Sequence, residues 1–290
     1  GSVLKTLFDH PPEIQYIATG SSSFDLANNV SEPLTGRSFE FTLFPISLTE
    51  IATNLFDAEQ ALPQLMRFGG YPDLYSVGEV EKISRLKTLV SQYLYKNVLS
   101  VGGIKKPEVI TQLLKLLAYQ IGNEVSYREL AGQLKTSQQT IERYIDLLEK
   151  NYVIMRLGSF ARNIRNEVTK SKKIYFVDLG LRNALIDAFL PIDPIGRNDV
   201  GALFENAMII ERMKYVTSQG LQMPNTYFWR TFEQQEIDYI EEQSGGLKAI
   251  EFKWSPVKKV LAPKVFIEAY PKFVFSVVTP IIAYSFVTGK

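Results

Sequence analysis

Cysteine is absent from this chain of 290 residues, which excludes disulfides, thiolate zinc sites and cysteine nucleophiles. Histidine is almost absent: His10 stands alone between Asp9 and two prolines, so a multi-histidine metal site is excluded too. No apolar run approaches the about 20 residues that a membrane-spanning helix needs, and no basic-then-apolar leader is visible. With the missing cysteines, this points to a soluble, cytoplasmic protein. Neither sign of charge is in excess, with 32 Lys and Arg against 31 Asp and Glu and a formal net charge of +1. Any electrostatic partner signal must therefore be local. What the chain does have is apolar material, 46% with 12% aromatic, enough for two or three domains with cores of their own.

Residues 3–8 have helical spacing, and Ile14 to Ala18 form a short buried-strand pattern ending at Thr19-Gly20. A second strand is predicted from Ser38 to Phe44, followed by helices from Ser47 to about Asn97. Strand, helix, strand, helix in that order favours a parallel α/β layer. From Lys105 to Leu157 the pattern changes to three helices and a strand, the order of a winged helix-turn-helix. A helix opens near Pro107, and Ser126-x-x-Glu129 and Thr136-x-x-Gln139 each fit a capping box that starts another. The second of these carries Ile141, Tyr144, Ile145 and Leu148 on one face, and Tyr152 to Leu157 would begin the wing.

The last third reads as strand Ile174 to Val177, helix Leu179 to Phe189, a proline-rich linker and a long helix from about Val200 to Val216. Strands Tyr227 to Arg230, Glu236 to Glu241 and Leu247 to Trp254 follow, and Ser244-Gly245-Gly246 turns the last two into a hairpin. The apolar stretch Phe273 to Val287, interrupted at Thr279-Pro280, has the β-branched content of strand.

The hairpin carries the chemistry. Period-two geometry puts Glu236 and Asp238 on one face, and likewise Glu251 and Lys253, so two carboxylates and an ammonium are expected to converge across paired strands. Oxygen ligands suit Mg²⁺ or Mn²⁺, and such an ion beside a lysine can activate water and offset charge on a phosphoryl group. An acid-x-lysine pattern is also ordinary on a solvated antiparallel strand. Against that, the strand Ala249 to Trp254 is too apolar to lie open to water, and Glu205 sits among Leu203, Phe204, Ala207 and Ile209.

Asp238 and, 13 positions on, Glu251-Phe-Lys253 resemble the PD-(D/E)xK nuclease superfamily, with Glu205 as the candidate for the glutamate often supplied by a preceding helix. Ile237 replaces the proline of that pattern. The resemblance implies Asp238 and Glu251 as ligands of Mg²⁺ or Mn²⁺, Lys253 as the group that positions water or stabilises charge, and Glu205 completing or adjusting the site.

The segments Ile17-Ala-Thr-Gly-Ser-Ser-Ser23, Leu34-Thr-Gly-Arg-Ser38, Phe68-Gly-Gly-Tyr-Pro-Asp73, Val177-Asp-Leu-Gly-Leu-Arg-Asn183, Gly201-Ala-Leu-Phe-Glu-Asn206 and Tyr227-Phe-Trp-Arg-Thr231 together resemble prokaryotic AAA-family ATPases with a DUF4143 C-terminal domain. The resemblance implies a multi-domain α/β protein. Residues 2–57 would be the distal part of an AAA core, 58–103 a helical lid or linker, 104–173 a winged helix and 174–290 a restriction-endonuclease-like α/β domain. Thr19 falls where a sensor residue ends a core strand, and Arg37 where an arginine would act on a neighbour's nucleotide in a homo-oligomer. No Gly-x-x-x-x-Gly-Lys-Ser/Thr loop or Walker-B run occurs, so ATP binding and hydrolysis are expected only of an intact parent.

Between Ile104 and Lys173 there are 13 Lys or Arg against 7 Asp or Glu, so positive charge gathers where a DNA reader is expected. Ser137, Gln138, Gln139 and Arg143 would face outward near the start of the recognition helix. Arg162, Arg165, Lys170, Lys172 and Lys173 follow the wing and could contact phosphates. Glu142, Asp146 and Glu149 would oppose phosphate along the later turns. Three functions fit: a metal-dependent endonuclease coupled to an ATP-driven motor, a non-catalytic DNA- or protein-binding adaptor, and a regulator of ATPase assembly.

Overall fold

The computed structural model describes residues 16–17, 19–20, 39, 41–93, 107–160, 172–193, 195–231, 233–255 and 260–289. Among them are ten α-helices and one seven-stranded mixed sheet.

Helices α1 (Leu48–Ile51), α2 (Leu55–Phe68) and α3 (Glu79–Tyr93) come first. The helices expected from Ser47 are separated after α2 by Gly69-Gly70 and a 3₁₀ turn at Pro72–Leu74. Ser47 caps α1 reciprocally with Glu50, and Asn54 caps α2 by accepting from the Asp57 amide.

Next come α4 (Pro107–Tyr119), β1 (Glu124–Val125), α5 (Tyr127–Gln133), α6 (Gln138–Lys150), β2 (Ile154–Ser159) and β3 (Lys172–Phe176). Ser126 caps α5 as expected, but α6 is capped by Ser137, which accepts from Thr140 N at 3.1 Å. The cap thus lies one residue beyond Thr136, because the hydroxyl of Ser137 is the one placed to meet a free amide of the first turn. Ile141, Tyr144, Ile145 and Leu148 all turn inward onto Ile110, Leu113, Leu114 and Leu117 of α4. Truncating one of these leucines to alanine would cost about 2–5 kcal/mol.

The remaining elements are α7 (Leu179–Leu185), α8 (Val200–Ser218), β4 (Asn225–Arg230), β5 (Glu236–Gln243), β6 (Gly246–Phe252), α9 (Lys264–Ala269), β7 (Phe273–Val278) and α10 (Ala283–Thr288). The expected long strand from Phe273 ends at Val278. Pro280 has no N–H for a ladder and opens a 3₁₀ turn that leads into α10.

Strand order is β1-β3-β2-β4-β5-β6-β7. β3 pairs antiparallel with β1 and β2, β2 runs parallel to β4, and β4 to β6 form an antiparallel meander with β7 parallel at the edge. One sheet therefore passes from the middle of the chain into its last third, and position 173 lies inside β3. On one face of the β4–β7 part, α2, α8 and α10 enclose Phe204, Tyr239, Ile250 and Phe252. On the other, α9 brings Phe266 onto Trp229, Ile237 and Ala249.

The strand expected from Ser38 to Phe44 does not form at its described residues. Phe39, Phe41 and Leu43 are over 90% exposed, and among the described residues no strand pairs with them. The strand expected at Ile14 to Ala18 and the helix at residues 3–8 lie outside or almost wholly outside the described residues, so the parallel layer they suggested has no described counterpart.

Two of the segments singled out in the sequence, Phe68-Gly-Gly and Asp178-Leu-Gly, form one packing joint. Gly69 takes φ +72° and leaves no room for a β-carbon, which would lie 2.1 Å from the Asp178 carboxylate. That carboxylate accepts from the Gly70 amide at 2.7 Å and the Leu181 amide at 2.9 Å, and a β-carbon on Gly180 would sit 2.0 Å from the Phe68 carbonyl oxygen. Asn183 closes the joint by donating to the carbonyls of Met66 and Arg67. Gly180→Ala is expected to destabilise by about 1–3 kcal/mol or more, since the obstacle is backbone. A urea midpoint within error of the wild type would refute the joint.

Candidate functional site

The site forms where β3, β5, β6 and α8 meet. Pairing between β4 and β5 shifts by one between Trp229↔Ile237 and Tyr227↔Ile240, so Asp238 and Tyr239 together face Phe228. This bulge takes Asp238 out of the regular ladder and re-aims its side chain. Asp238 Oδ2 accepts from the Phe252 amide at 2.8 Å and lies 3.8 Å from Lys253 Nζ. Lys253 Nζ donates to Glu251 Oε2 at 2.7 Å. Asp238, Glu251 and Lys253 are therefore brought together.

Glu205, on the second turn of α8, is buried beside them. Its Oε1 accepts from Lys173 Nζ at 3.0 Å and from the Tyr175 hydroxyl at 2.6 Å. Lys173 also bonds Glu236, and Arg230 Nε stands 3.6 Å from the same carboxylate. Lys173 is 1% exposed, so the phosphate contact expected of it after the wing is not open to it. β3 turns its ammonium inward, where the carboxylates of Glu205 and Glu236 replace water.

Burial raises Glu205 to about 7, with Asp238 adding to the rise and Lys173 opposing it. Burial likewise lifts Glu251 to about 7, helped by the charge of Asp238 and opposed by Lys253. Burial alone would lower the pKa of Lys173, but Glu205 and Glu236 carry it well above the usual lysine range. Burial pushes the Tyr175 hydroxyl far up, so it stays a donor to Glu205.

A cavity of about 430 Å³ opens on this cluster. Its walls are Arg197 and Asn198 before α8, Val200, Gly201 and Glu205 on it, Asp238, and Phe252 to Ser255 at and after the end of β6. Asp238 and Glu251 supply two adjacent carboxylates, a set that suits a hard divalent ion which keeps waters and takes a substrate phosphate in its other positions. Among the described residues no group of three or more His, Asp or Glu gathers as a ligand cluster, and Glu205 is held by Lys173 and Tyr175.

The other sequence-named residues lie elsewhere. Ser137, Gln138, Gln139 and Arg143 are exposed on the first turns of α6, with the Ser137 hydroxyl engaged as cap and Arg143 over the Tyr144 ring at 5.6 Å. Asp146 and Glu149 both pair with Arg156. Thr19 is exposed, and Arg37, Arg162, Arg165 and Lys170 lie outside the described residues.

Sequence reasoning missed Lys173 and Tyr175 as site residues. Their signal was alternation: Lys173 and Tyr175 share one face of a strand otherwise built from Ile174 and Phe176, which face the α4–α6 core.

Residues 1–52 match an AAA domain family, 59–191 the domain of unknown function DUF8612, and 200–284 the domain of unknown function DUF4143. An AAA-type segment thus stands at the N-terminus and a DUF4143 segment at the C-terminal end. An uncharacterized protein of Mycobacterium tuberculosis is 28% identical over 257 residues, covering 87% of this chain and 55% of its own length. An uncharacterized protein of Methanocaldococcus jannaschii is 26% identical over 215 residues, covering 63% of this chain and 45% of its own. One from Haemophilus influenzae is 24% identical over 181 residues, covering 59% and 45%. The chain spans about half the length of the curated relatives it matches. No solved structure matches it, and no described helix is long and apolar enough to cross a membrane.

Proposed function

We propose that the last third of the chain is a metal-dependent, nuclease-like phosphodiesterase module of an AAA-type ATPase, with α4 to β3 as a winged helix that engages DNA. The observation that carries the reading is the convergence of Asp238, Glu251 and Lys253 at a β-bulge beside a cavity. Helix glutamate, acid on one strand and acid-x-lysine on the next is the arrangement the nuclease resemblance implies.

Asp238 and Glu251 would hold Mg²⁺ or Mn²⁺, which when bound lowers the pKa of a water and offsets charge at a phosphoryl group. Asp238 is fixed for this by the Phe252 amide, which occupies one of its oxygens. Lys253, half-buried and lining the cavity, stands where its ammonium can hold a phosphate oxygen or orient water. Lys173 and Tyr175 keep Glu205 in one rotamer beside Asp238. ATP binding and turnover, and assembly into a homo-oligomer, belong in this reading to the intact parent.

The winged-helix reading rests on the order α4-β1-α5-α6-β2-β3, with β1 and β2 on either side of β3 and α6 open at its first turn. Replacing Gln138 and Arg143 together by alanine should weaken DNA binding about tenfold. The Arg143 part should also lower the salt slope by about one, because one counterion fewer is released. Fluorescence anisotropy with a labelled duplex at several salt concentrations checks this; an unchanged slope removes α6 from the interface.

An adaptor without turnover is the second reading, favoured by the acid cluster being matched internally by Lys173, Lys253 and Arg230. The two separate in one experiment. Single-stranded, duplex and branched DNA are incubated with this chain and Mg²⁺ or Mn²⁺. Metal-dependent cleavage supports the phosphodiesterase, whereas DNA binding that survives Asp238→Ala with no cleavage by the intact parent supports the adaptor.

A further inference from the structure

The cavity has a feature that metal and phosphate chemistry leaves unused. Beyond the acid–lysine cluster its wall is Trp254, with Val200 and Gly201 at the start of α8, Phe252 at its base, and Asn198 and Ser255 at the exposed rim. Trp254 is half-buried. It meets Phe204 edge-on at 5.7 Å between centroids, which anchors one edge of the indole while the residue still lines the cavity. The chain's other tryptophan, Trp229, is buried against Phe266. Arg197 adds little free charge to the wall, since its guanidinium is bound to Asp199, Asn183 and the Leu190 carbonyl. A flat aromatic side chain, apolar walls and a neutral amide at the rim are what a heteroaromatic ring recognises, and Lys253 with Asp238 stands beside them.

At about 430 Å³ the cavity falls in the range of roughly 300–1,000 Å³ that small-molecule pockets occupy, so it has room for one nucleotide. We propose that it receives a single unpaired nucleotide, the base stacked on Trp254 and its phosphate at Lys253. This rests on the nucleic-acid reading of the site and narrows it to single-stranded, frayed or branched substrates. Unstacking a base has a free-energy cost that is smallest where the base is already unpaired. A pocket of this kind therefore discriminates against intact duplex by itself.

Gly201 supplies a clean test. It lines the cavity, and a β-carbon there would meet no atom within 4 Å, so Gly201→Leu puts a side chain into open space and leaves the core alone. Affinity is measured by anisotropy with a labelled ten-nucleotide thymidine oligomer and a blunt duplex of equal length, with Ca²⁺ in place of Mg²⁺ or Mn²⁺ so that the carboxylates carry an oxygen-liganded divalent ion. Wild type, Gly201→Leu, Trp254→Leu and Trp254→Phe are compared.

Base–aromatic stacking predicts that Trp254→Leu binds the single strand about tenfold more weakly. Trp254→Phe should keep most of the affinity, and Gly201→Leu should lose as much as Trp254→Leu; duplex affinity, set elsewhere, should not move. Tryptophan emission of the wild type should be quenched by the oligomer and much less so in Trp254→Phe. Single-strand binding equal in all four proteins overturns the inference and leaves the nuclease reading standing. Binding of neither DNA by the wild type overturns both. Trp254-dependent binding by an intact parent that cleaves nothing keeps the nucleotide pocket and removes the catalysis.

Discussion

Glu251→Gln is expected to lower metal-dependent cleavage of a single-stranded DNA by about 10²–10³-fold while leaving the urea midpoint within about 1 kcal/mol of the wild type. The substitution keeps shape and removes the charge that, with Asp238, would hold a divalent ion. Lys253→Ala should lose a similar factor, because its ammonium lies 2.7 Å from Glu251 and 3.8 Å from Asp238, while Arg197 on the same wall is bound to Asp199 and Asn183. The two losses should not multiply in the double variant, since groups that act as a unit are lost together. Excess Mn²⁺ should restore part of the Glu251→Gln rate and none of the Lys253→Ala rate if the first holds the ion and the second acts on phosphate or water. Initial rates on a labelled strand check this. Wild-type rates in both variants would show that any cleavage arises elsewhere.

The largest stability effect is expected at Lys173. Lys173→Met should cost about 3–5 kcal/mol, the magnitude for removing one partner of a buried charge pair. The cost comes from what remains: among the described residues Glu205, buried on α8, would keep only the Tyr175 hydroxyl as a donor, and Glu236 only Arg230 nearby. Glu205→Gln in the same chain should recover more than half of the loss, because an amide can accept from Tyr175 without the desolvated charge. Denaturant midpoints of the four proteins complete the cycle. A cost below about 1 kcal/mol for Lys173→Met would mean that the cluster is solvated and the ion pairs count for little. The same residue links two parts of the chain, since β3 belongs to the α4–β3 unit by pairing and its ammonium belongs to the candidate site by contact.

The segments singled out in the sequence divide by role in the structure. Phe68-Gly-Gly and Asp178-Leu-Gly180 hold α2, α7 and the end of β3 together through close backbone approach. Arg182 is buried and bonds the Ala118 carbonyl and Asp199, and Asn206 bonds both the amide and the carbonyl of Phe176. From Gly201 to Asn206, Gly201 and Glu205 line the candidate site.

By itself the sequence determined what short range controls. Periodicity placed α4, α6 and α8, cap chemistry placed the start of α5, and alternation in Glu236 to Asp238 and Glu251 to Lys253 placed the candidate acids and lysine on adjacent strands. These signals work because helix and strand each impose a repeat on neighbouring residues. Where it failed, the deciding partner lay far along the chain. Ser38 to Phe44 alternates like a strand, yet among the described residues nothing pairs with it, and a strand is stable only against a neighbour. Lys173 looked like one more basic residue after the wing, because burial is a property of the assembled sheet. Only the tertiary structure decided that β2 joins β4 into one sheet, that a bulge re-aims Asp238, and that Lys173 and Tyr175 hold Glu205 across 32 and 30 residues. Each depends on strand partners chosen by long-range packing, which no local pattern encodes.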